Sequence, residues 1–337
     1  MFDTQVTTQD SMSVEMKTFY EKALITYAEP ELYHDQFGQK VPIPKNGGKT
    51  IEFRKYSPLA KAMTPLTEGV TPAGNGLNVS KVTSTIKQYG DYIQMSDMLI
   101  LTAIDNNMVQ ATELLGSQAG RTLDAVTREV INAGTNVLYA GGKTARNQLA
   151  TTDCELTVDD VRKAVKILKS MNAKPFDGGC FVGIISPDTT YDLQSDPKWV
   201  EASKYAGSTQ LFNGEIGKIY GVRFVETTEA KVFKGAGASS ADVQSTLIIG
   251  KNAYGVTEIT GGGLEHITKQ LGSGGSTDPL NQRATVGWKA TKTAEILVDP
   301  YMVRIESCTP DPTADWETAI IAEAKQAKPA TSKPSLS

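Results

Sequence analysis

The tetrapeptide Gly-Gly-Lys-Thr occurs twice, at residues 47–50 and 141–144, and has the residue types that end a phosphate-binding loop. Such a loop needs a further glycine five residues before the glycine that precedes the lysine, because its backbone curls around the phosphates. Ile43 and Val137 occupy those positions, and neither readily adopts the backbone conformations of glycine. The flanking residues also do not read as a strand that leads into a helix. We therefore expect two glycine turns, each with a solvated lysine, and no nucleotide site.

The two histidines, His34 and His266, are the other residues that could perform acid–base chemistry. Glu265 precedes His266, so one interpretation is a base with its orienting carboxylate. Adjacent residues of an extended chain point to opposite faces, which argues against a shared pocket. The three cysteines are scattered and have no metal-binding spacing: Cys154, Cys180 and Cys308. We expect no catalytic residue, no cofactor and no metal, and keep a soluble α/β enzyme as the weaker alternative.

Composition sets broad limits on the kind of protein. A chain of 337 residues with 39% hydrophobic and 21% charged residues is long enough for about two domains with an apolar core. A net charge of −4 argues against direct recognition of duplex DNA through a broad basic surface. The N-terminus lacks a signal-peptide pattern, and no stretch approaches the roughly 18 apolar residues of a membrane span. The odd, scattered cysteines favour a reducing cytoplasm.

The elements that would position any functional residue begin with a long two-stranded flap at residues 49–95. In "KTIEFRKYSP", Ile51 and Phe53 alternate with Glu52 and Arg54, which predicts a strand. The run "LNVSKVTSTIKQYGDYIQMSD" predicts a second strand, and the segment between the two is rich in proline and glycine. A two-stranded hairpin is marginal alone in water, and its open edges invite pairing. Either the rest of the chain or another copy must cover it.

Two strong helices follow the flap. An apolar stripe at steps of three and four residues predicts a helix over residues 106–133. Gly116 and Gly120 lie inside it and indicate close packing against a neighbouring element. Thr157, with Asp160 three residues later, is typical of the start of a second helix.

The remaining segments complete the pattern. Residues 157–260 alternate helices and strands, which predicts a compact α/β domain. Within it, "EIGKIYGVRFVETTEA" predicts a strand kinked at Gly221, and "STLIIGKNAYGVTEI" predicts one further strand. Residues 1–48 are predicted to form an arm that lies on another element and does not fold alone. We expect residues 310–337 to be disordered.

Three stretches carry a resemblance to a known family: "TEGVTPAGNGLNVSKVTSTIKQYGDYIQMSDML", "GSGGSTDPLNQRATVGWK" and "AEILVDPYMVRIES". They look like the major capsid proteins of the N4-like group of tailed bacteriophages, and the resemblance covers roughly residues 15–308. Its sharpest motif is the run of residues 278–283 followed by residues 287–289. The fold that this implies is the α+β major capsid fold shared by tailed phages and herpesviruses.

The resemblance also implies a domain organisation and a role. The implied segments are an N-terminal arm (1–48), an extended β-hairpin E-loop flap (49–95), a peripheral P-domain with a spine helix (96–156), an axial A-domain (157–285), closing P-domain strands (286–309) and a tail (310–337). The implied role is structural: hexamers and pentamers form the icosahedral head of a virion around packaged double-stranded DNA. An encapsulin-like shell protein is the alternative within the same fold.

Implied partners follow from that role. They are other copies of the chain, packaged DNA contacted without sequence specificity, and portal and decoration proteins, with no membrane and with assembly in the host bacterial cytoplasm. Because the arm begins almost at once, we expect any scaffold to be a separate protein. The candidate contacts between subunits are Arg54, Lys55, Lys61 and Glu68 in the flap, and Asp278, Arg283 and Trp288 in the motif. Ordinary surface charge is an equal interpretation for most of these residues, a solvated lysine is favoured for Lys61, and a core position is favoured for Trp288.

Overall fold

The computed structural model describes residues 32–42, 49–56, 79–102, 107–205, 217–258, 264–273 and 278–309, together with Leu24, residues 26–28 and scattered residues between 59 and 77. In these residues the strands are β1 Gln39–Val41, β2 Thr50–Tyr56, β3 Val79–Thr85, β4 Lys87–Ser96, β5 Val137–Tyr139, β6 Phe181–Ile185, β7 Lys218–Ile219, β8 Val222–Glu226, β9 Val232–Phe233, β10 Val243–Ile249, β11 Tyr254–Thr257, β12 Leu264–Lys269, β13 Arg283–Lys292, β14 Ala294–Ile296 and β15 Met302–Ser307. The helices are α1 Asp97–Thr102, α2 Asn107–Ile131, α3 Val158–Ser170, α4 Pro187–Ser195 and α5 Pro197–Tyr205.

Helix α2 is the long helix predicted from the sequence, here called the spine helix, and its bounds lie within two residues of the predicted 106–133. Its 25 residues span about 37 Å. The predicted close packing at Gly116 is confirmed, because a Cβ placed there would lie 2.7 Å from Tyr27 Cβ. The neighbour is therefore the arm, whose residues 26–28 are helical.

A three-stranded antiparallel sheet covers α2, with the order β12-β13-β4. Its apolar face and the stripe of α2 form one core that is closed to solvent. The members of that core include Leu115, Ala119 and Leu123 of α2, Met95 of β4, and Val286 and Trp288 of β13. The long helix and this sheet thus make one rigid layer pair.

A larger sheet contains most of the remaining strands, in the order β5-β15-β10-β6-β8-β7, with β9 also paired to β10. Helix α3 packs on it through a core that joins Val161 and Leu168 to Ile248 and Val303. The predicted start of α3 is confirmed: the Thr157 side chain caps the helix by accepting from the Asp160 backbone N–H.

Two predicted strands are wrong in detail, since left-handed backbone positions break them. Tyr220 (φ 47°) and Gly221 (φ 81°) form a tight turn, so β7 and β8 are an antiparallel hairpin instead of one kinked strand. The expected strand at "STLIIGKNAYGVTEI" is two strands, β10 and β11, that belong to different sheets. The turn between them contains Asn252 at φ 63°.

Strand pairing joins segments that are far apart in the chain. β15 pairs with β10 in the large sheet. β12 pairs with β13 in the sheet over α2. The sequence pattern does not report which distant strands pair.

Candidate subunit interface

The hairpin of the predicted flap forms, but its second predicted strand is wrong in detail. That run divides into β3, which pairs with β2, and β4, which pairs with β13 in the sheet over α2. β2 and β3 pair antiparallel from Thr50 opposite Thr85 to Tyr56 opposite Val79, as a separate two-stranded sheet. Its polar face carries an exposed ion pair, with Lys81 Nζ 3.0 Å from Glu52 Oε1.

The root of the flap is covered by the chain itself. Ile51 and Phe53 are buried and share a core with Leu297. The Phe53 ring lies so close to β11 that a Cβ added at Gly255 would be 2.4 Å from ring atom Cε1. Ser84 Oγ also lies 2.7 Å from Thr293 Oγ1. The apolar side of the root therefore needs no second copy to shelter it.

The outer part of the flap is different, because large apolar side chains there face solvent. Met63 is 81% exposed and Leu66 is 77% exposed. Three further exposed apolar side chains lie in the same part of the chain: Leu59, Leu77 and Val79. A concentration of exposed apolar side chains marks a protein–protein contact more often than ordinary surface.

The charged flap candidates lie in the same part of the chain. Arg54 is exposed on the polar face of β2, and Lys61 and Glu68 are exposed in the connection between the strands. The backbone of Lys55 lies opposite Ser80 in the hairpin. These four candidates therefore belong to the hairpin and its connection.

The motif candidates lie elsewhere. Asp278 accepts from the backbone N–H groups of Gln282 (3.2 Å) and Arg283 (2.8 Å), so its carboxylate shapes the turn before β13. Arg283 is exposed opposite Ser96 at the end of β13 that is about 30 Å from the flap root. Trp288 is 3% exposed, and its Nε1–H donates to Gln118 Oε1 at 3.2 Å. Trp288 is thus buried within its own chain.

A buried polar cluster behind the flap was missed in the sequence. His34 Nδ1 lies 2.6 Å from Asp124 Oδ2, and the backbone N–H of His34 donates to Asp124 Oδ1 at 2.7 Å. The hydroxyl of Tyr254 donates to the carbonyl of His34. The arm is therefore tied to the middle of the spine helix and to β11.

The second half of the cluster is an ion pair between Lys292 and Asp35, with both side chains almost wholly shielded from water. Thr127 donates to Asp35 Oδ1 at 3.1 Å. Burial lowers the pKa of Lys292, and the Asp35 carboxylate opposes that shift. Burial also raises the pKa of the Tyr254 phenol well above its ordinary value.

The cluster joins the arm, α2, β11 and the end of β13, and the flap root packs on β11 through Phe53 and Gly255. One sequence signal could have found it. Lys292 continues the inward-facing alternation of β13 after Ala284, Val286, Trp288 and Ala290, so a charge stands where an apolar residue is expected. A buried charge requires a buried partner.

The other residues first considered for chemistry lie in a glycine turn and on strand β12. Gly141 and Gly142 take positive φ in a short 3-10 turn, and Lys143 after them is exposed, as expected for a glycine turn. Glu265 Oε2 pairs with Lys289 Nζ at 3.3 Å. The neighbouring His266 ring lies 3.2 Å from Thr268 Oγ1, and burial lowers its pKa. Gly47 and Gly48 of the first tetrapeptide lie outside the described residues.

Among the residues that the structure describes, no group of three acidic, histidine or cysteine side chains is placed to hold a metal ion. No helix in this part of the chain has the length and apolar character required to cross a bilayer.

The profile of the phage capsid protein family matches residues 80–304, more than half of the 337 residues. The chain belongs to the phage capsid protein family. This capsid protein has a structural role as a major capsid protein and is not an enzyme. No curated protein matches its sequence.

Solved structures confirm the capsid fold. The capsid protein is similar to the capsid of Ralstonia phage GP4, with 18% identity, a TM-score of 0.62, and coverage of 82% of this chain and 87% of that one. It is similar to the Cyanophage Pam1 capsid, with 15% identity, a TM-score of 0.61, and coverage of 91% and 99%. A virus-like particle from Pyrococcus furiosus matches at 14% identity and a TM-score of 0.50, with coverage of 87% and 100%. The predicted α+β tailed-phage capsid fold is therefore confirmed.

Proposed function

We propose that this chain is the major capsid protein of an N4-like tailed phage, and that its copies form the hexamers and pentamers of an icosahedral head. The observation that carries the proposal is the difference in solvent exposure between the root and the outer part of the flap. Its root is buried in its own chain, whereas Met63 and Leu66 at its outer part are exposed. Identical subunits offer a matching surface by symmetry, and a contact that is not two-fold propagates into rings and shells.

The segments take the roles that the family resemblance implies. Within residues 49–95, the hairpin of β2 and β3 with its connection acts as the E-loop that lies on a neighbouring subunit, while β4 stays in the sheet over α2. The arm at 1–48 reaches along neighbours while its residues 32–42 remain on the spine. Helix α2 with its sheet forms the P-domain, and the large sheet with α3 and α4 forms the A-domain. In this arrangement the buried cluster of His34, Asp124, Asp35 and Lys292 holds flap and arm at a fixed position on the spine.

The proposed partners are those that a shell around DNA requires. Packaged duplex DNA contacts the inner face without sequence specificity, and a net charge of −4 suits a wall that does not bind DNA tightly. Assembly takes place in the host bacterial cytoplasm with separate scaffolding, portal and decoration proteins.

Deletion of residues 58–75 tests the proposal, because it removes the outer flap and leaves β2 and β3 in place. Full-length protein should form capsomers or shells in negative-stain micrographs and sediment as large particles. The deletion variant should stay small and keep the circular dichroism spectrum of a folded chain. Unchanged assembly by the deletion variant would overturn the proposed role of the flap.

A cellular compartment of the encapsulin type is the second candidate, favoured only by the similarity to the Pyrococcus furiosus particle. Its subunits would form the same kind of shell around a protein cargo. The contents of particles purified from the native host decide between the two. Nuclease-protected double-stranded DNA supports the phage head, and protein cargo without DNA supports the compartment.

A further inference from the structure

Two of the three cysteines, Cys154 and Cys308, lie next to each other in the fold although 153 residues lie between them in the sequence. Cys154 lies in the loop before α3, and Cys308 directly follows β15. The backbone N–H of Cys308 donates to the carbonyl of Cys154 at 2.9 Å. Both side chains are fully buried in one small cluster, with Leu149 and Val243 as its other buried members.

This contact sets the distance between the two residues. Residues of paired strands that share such a hydrogen bond hold their Cα atoms about 5.5 Å apart, and Cys308 shares its bond with Cys154 directly after the end of β15. Disulfides span a range of Cα separations that includes this value, about 4.4–6.8 Å. The third cysteine, Cys180, is only partly buried, and its Sγ–H donates to the carbonyl of Gly178 at 3.2 Å. It lies outside this cluster and serves as an internal comparison.

We propose that Cys154 and Cys308 are a covalent modification site, at which hydrogen peroxide converts two thiols into one intramolecular disulfide. One thiolate attacks a peroxide oxygen, the O–O bond breaks, and a sulfenic acid and water form. The second thiol then attacks the sulfenic sulfur, the S–O bond breaks, and a second water leaves. Two thiols and one peroxide thus give one disulfide and two waters. The inference does not depend on the proposed assembly.

The surroundings make this reaction slow. The thiolate is the reactive form, and burial raises the pKa of Cys308 to about 11, with Cys154 nearby adding to the shift. Peroxide must also enter a site closed to solvent, which requires a local opening. The pair therefore stays reduced during brief exposure to oxidant and becomes linked on long exposure.

The link would join the two ends of the segment that contains most of the large sheet and helices α3 to α5. A cross-link that closes so long a loop stabilises mainly by restricting the unfolded chain. We expect the oxidised protein to unfold about 5–10 °C above the reduced protein.

The test uses the full-length chain carrying Cys180→Ser, so that only the proposed pair can react. After prolonged peroxide treatment, mass spectrometry without reductant should show the loss of two hydrogen atoms and a peptide link between residues 154 and 308. Reductant should reverse both the link and the rise in unfolding temperature. The further variants Cys154→Ser and Cys308→Ser should show neither change.

A second measurement does not require peroxide to enter the buried cysteine site. The unfolded Cys180→Ser chain is refolded in a buffer of small thiol and small disulfide, where the thiols are open to exchange. A native geometry that fits a disulfide should give predominantly linked, folded monomer. The proposal is overturned if refolded protein keeps both thiols free, or if peroxide drives either sulfur to sulfinic acid without a link.

Discussion

His34 and Asp124 are joined twice, through the imidazole Nδ1 at 2.6 Å and through the backbone N–H at 2.7 Å, with both side chains closed to solvent. The pair fixes the arm to the middle of the spine helix. Next to it, Asp35 holds the buried ammonium of Lys292. Removing one member of such a set leaves a polar or charged group without its partner in a place where water cannot replace it.

Substitution of Asp35 by Asn should therefore destabilise the folded chain. We expect a loss of about 3–5 kcal/mol in the free energy of unfolding, because Lys292 keeps its buried position and loses its counter-charge. Urea unfolding of the unassembled full-length chain measures the loss. Replacing both partners, as Asp35→Leu with Lys292→Met, should recover much of it, since no buried charge is left.

The matched control is the exposed pair of Glu52 and Lys81 on the flap. Glu52→Gln should cost about 0–1 kcal/mol, because water solvates the lysine that remains. Equal losses for Asp35→Asn and Glu52→Gln would contradict the assignment of the buried cluster as the anchor of the arm.

Met63→Asp and Leu66→Asp should prevent assembly and leave the isolated chain intact. Both side chains face solvent in the single chain, so we expect a change in its unfolding free energy within about 0.5 kcal/mol. Sedimentation should show particles replaced by small species. Tyr191→Asp, at an exposed position of α4, is the control and should still assemble. Assembly of both flap variants at the wild-type level would count against the flap as the contact.

Gly255→Ala should loosen the flap root. The added methyl group would lie 2.4 Å from the Phe53 ring, so the ring must move out of its place. We expect a loss of about 1–3 kcal/mol in the free energy of unfolding, as for an overpacked core. Gly74→Ala is the control, because an added Cβ there meets nothing within 4 Å. A Gly255→Ala chain as stable as the control would show that the root is not packed in this way.

The pH dependence of stability should change when Asp192 is replaced by Asn. Burial raises the pKa of Asp192 to about 6, and Glu155 and Asp188 add to the shift while Thr309 opposes it. The folded chain binds this proton more tightly than the unfolded chain, so ionisation of Asp192 lowers stability as pH rises from about 4 to about 6. Asp192→Asn should unfold at a higher temperature than wild type at pH 8, and the advantage should shrink at pH 4.5. A difference that is the same at both pH values would contradict this account.

The local elements could be predicted from the sequence because their signals are local. Three of these signals depend on residues that are close together in the chain. They are the apolar stripe of α2, the Thr157 cap and the alternation around Ile51 and Phe53. The pairing of β15 with β10 and the cover over Phe53 depend on residues far apart in the chain. Periodicity carries no information about such contacts.

The contacts of polar and charged residues are equally hidden from the sequence pattern. His34 reads as part of a polar segment, and only the fold shows that Asp124 meets it in the core. A core position is the favoured interpretation of Trp288, and its side chain is buried within its own chain. Exposure of Arg54, Lys61 and Glu68 follows from the sequence pattern, but the pattern does not identify their partners.

Cryo-electron microscopy of the assembled wild-type particle tests the central claim most directly. The account predicts that Leu59, Met63, Leu66 and Leu77 lose their solvent exposure against a neighbouring subunit, while Phe53 stays buried in its own chain. A particle in which those four side chains remain in solvent, or fold back onto their own subunit, would contradict it.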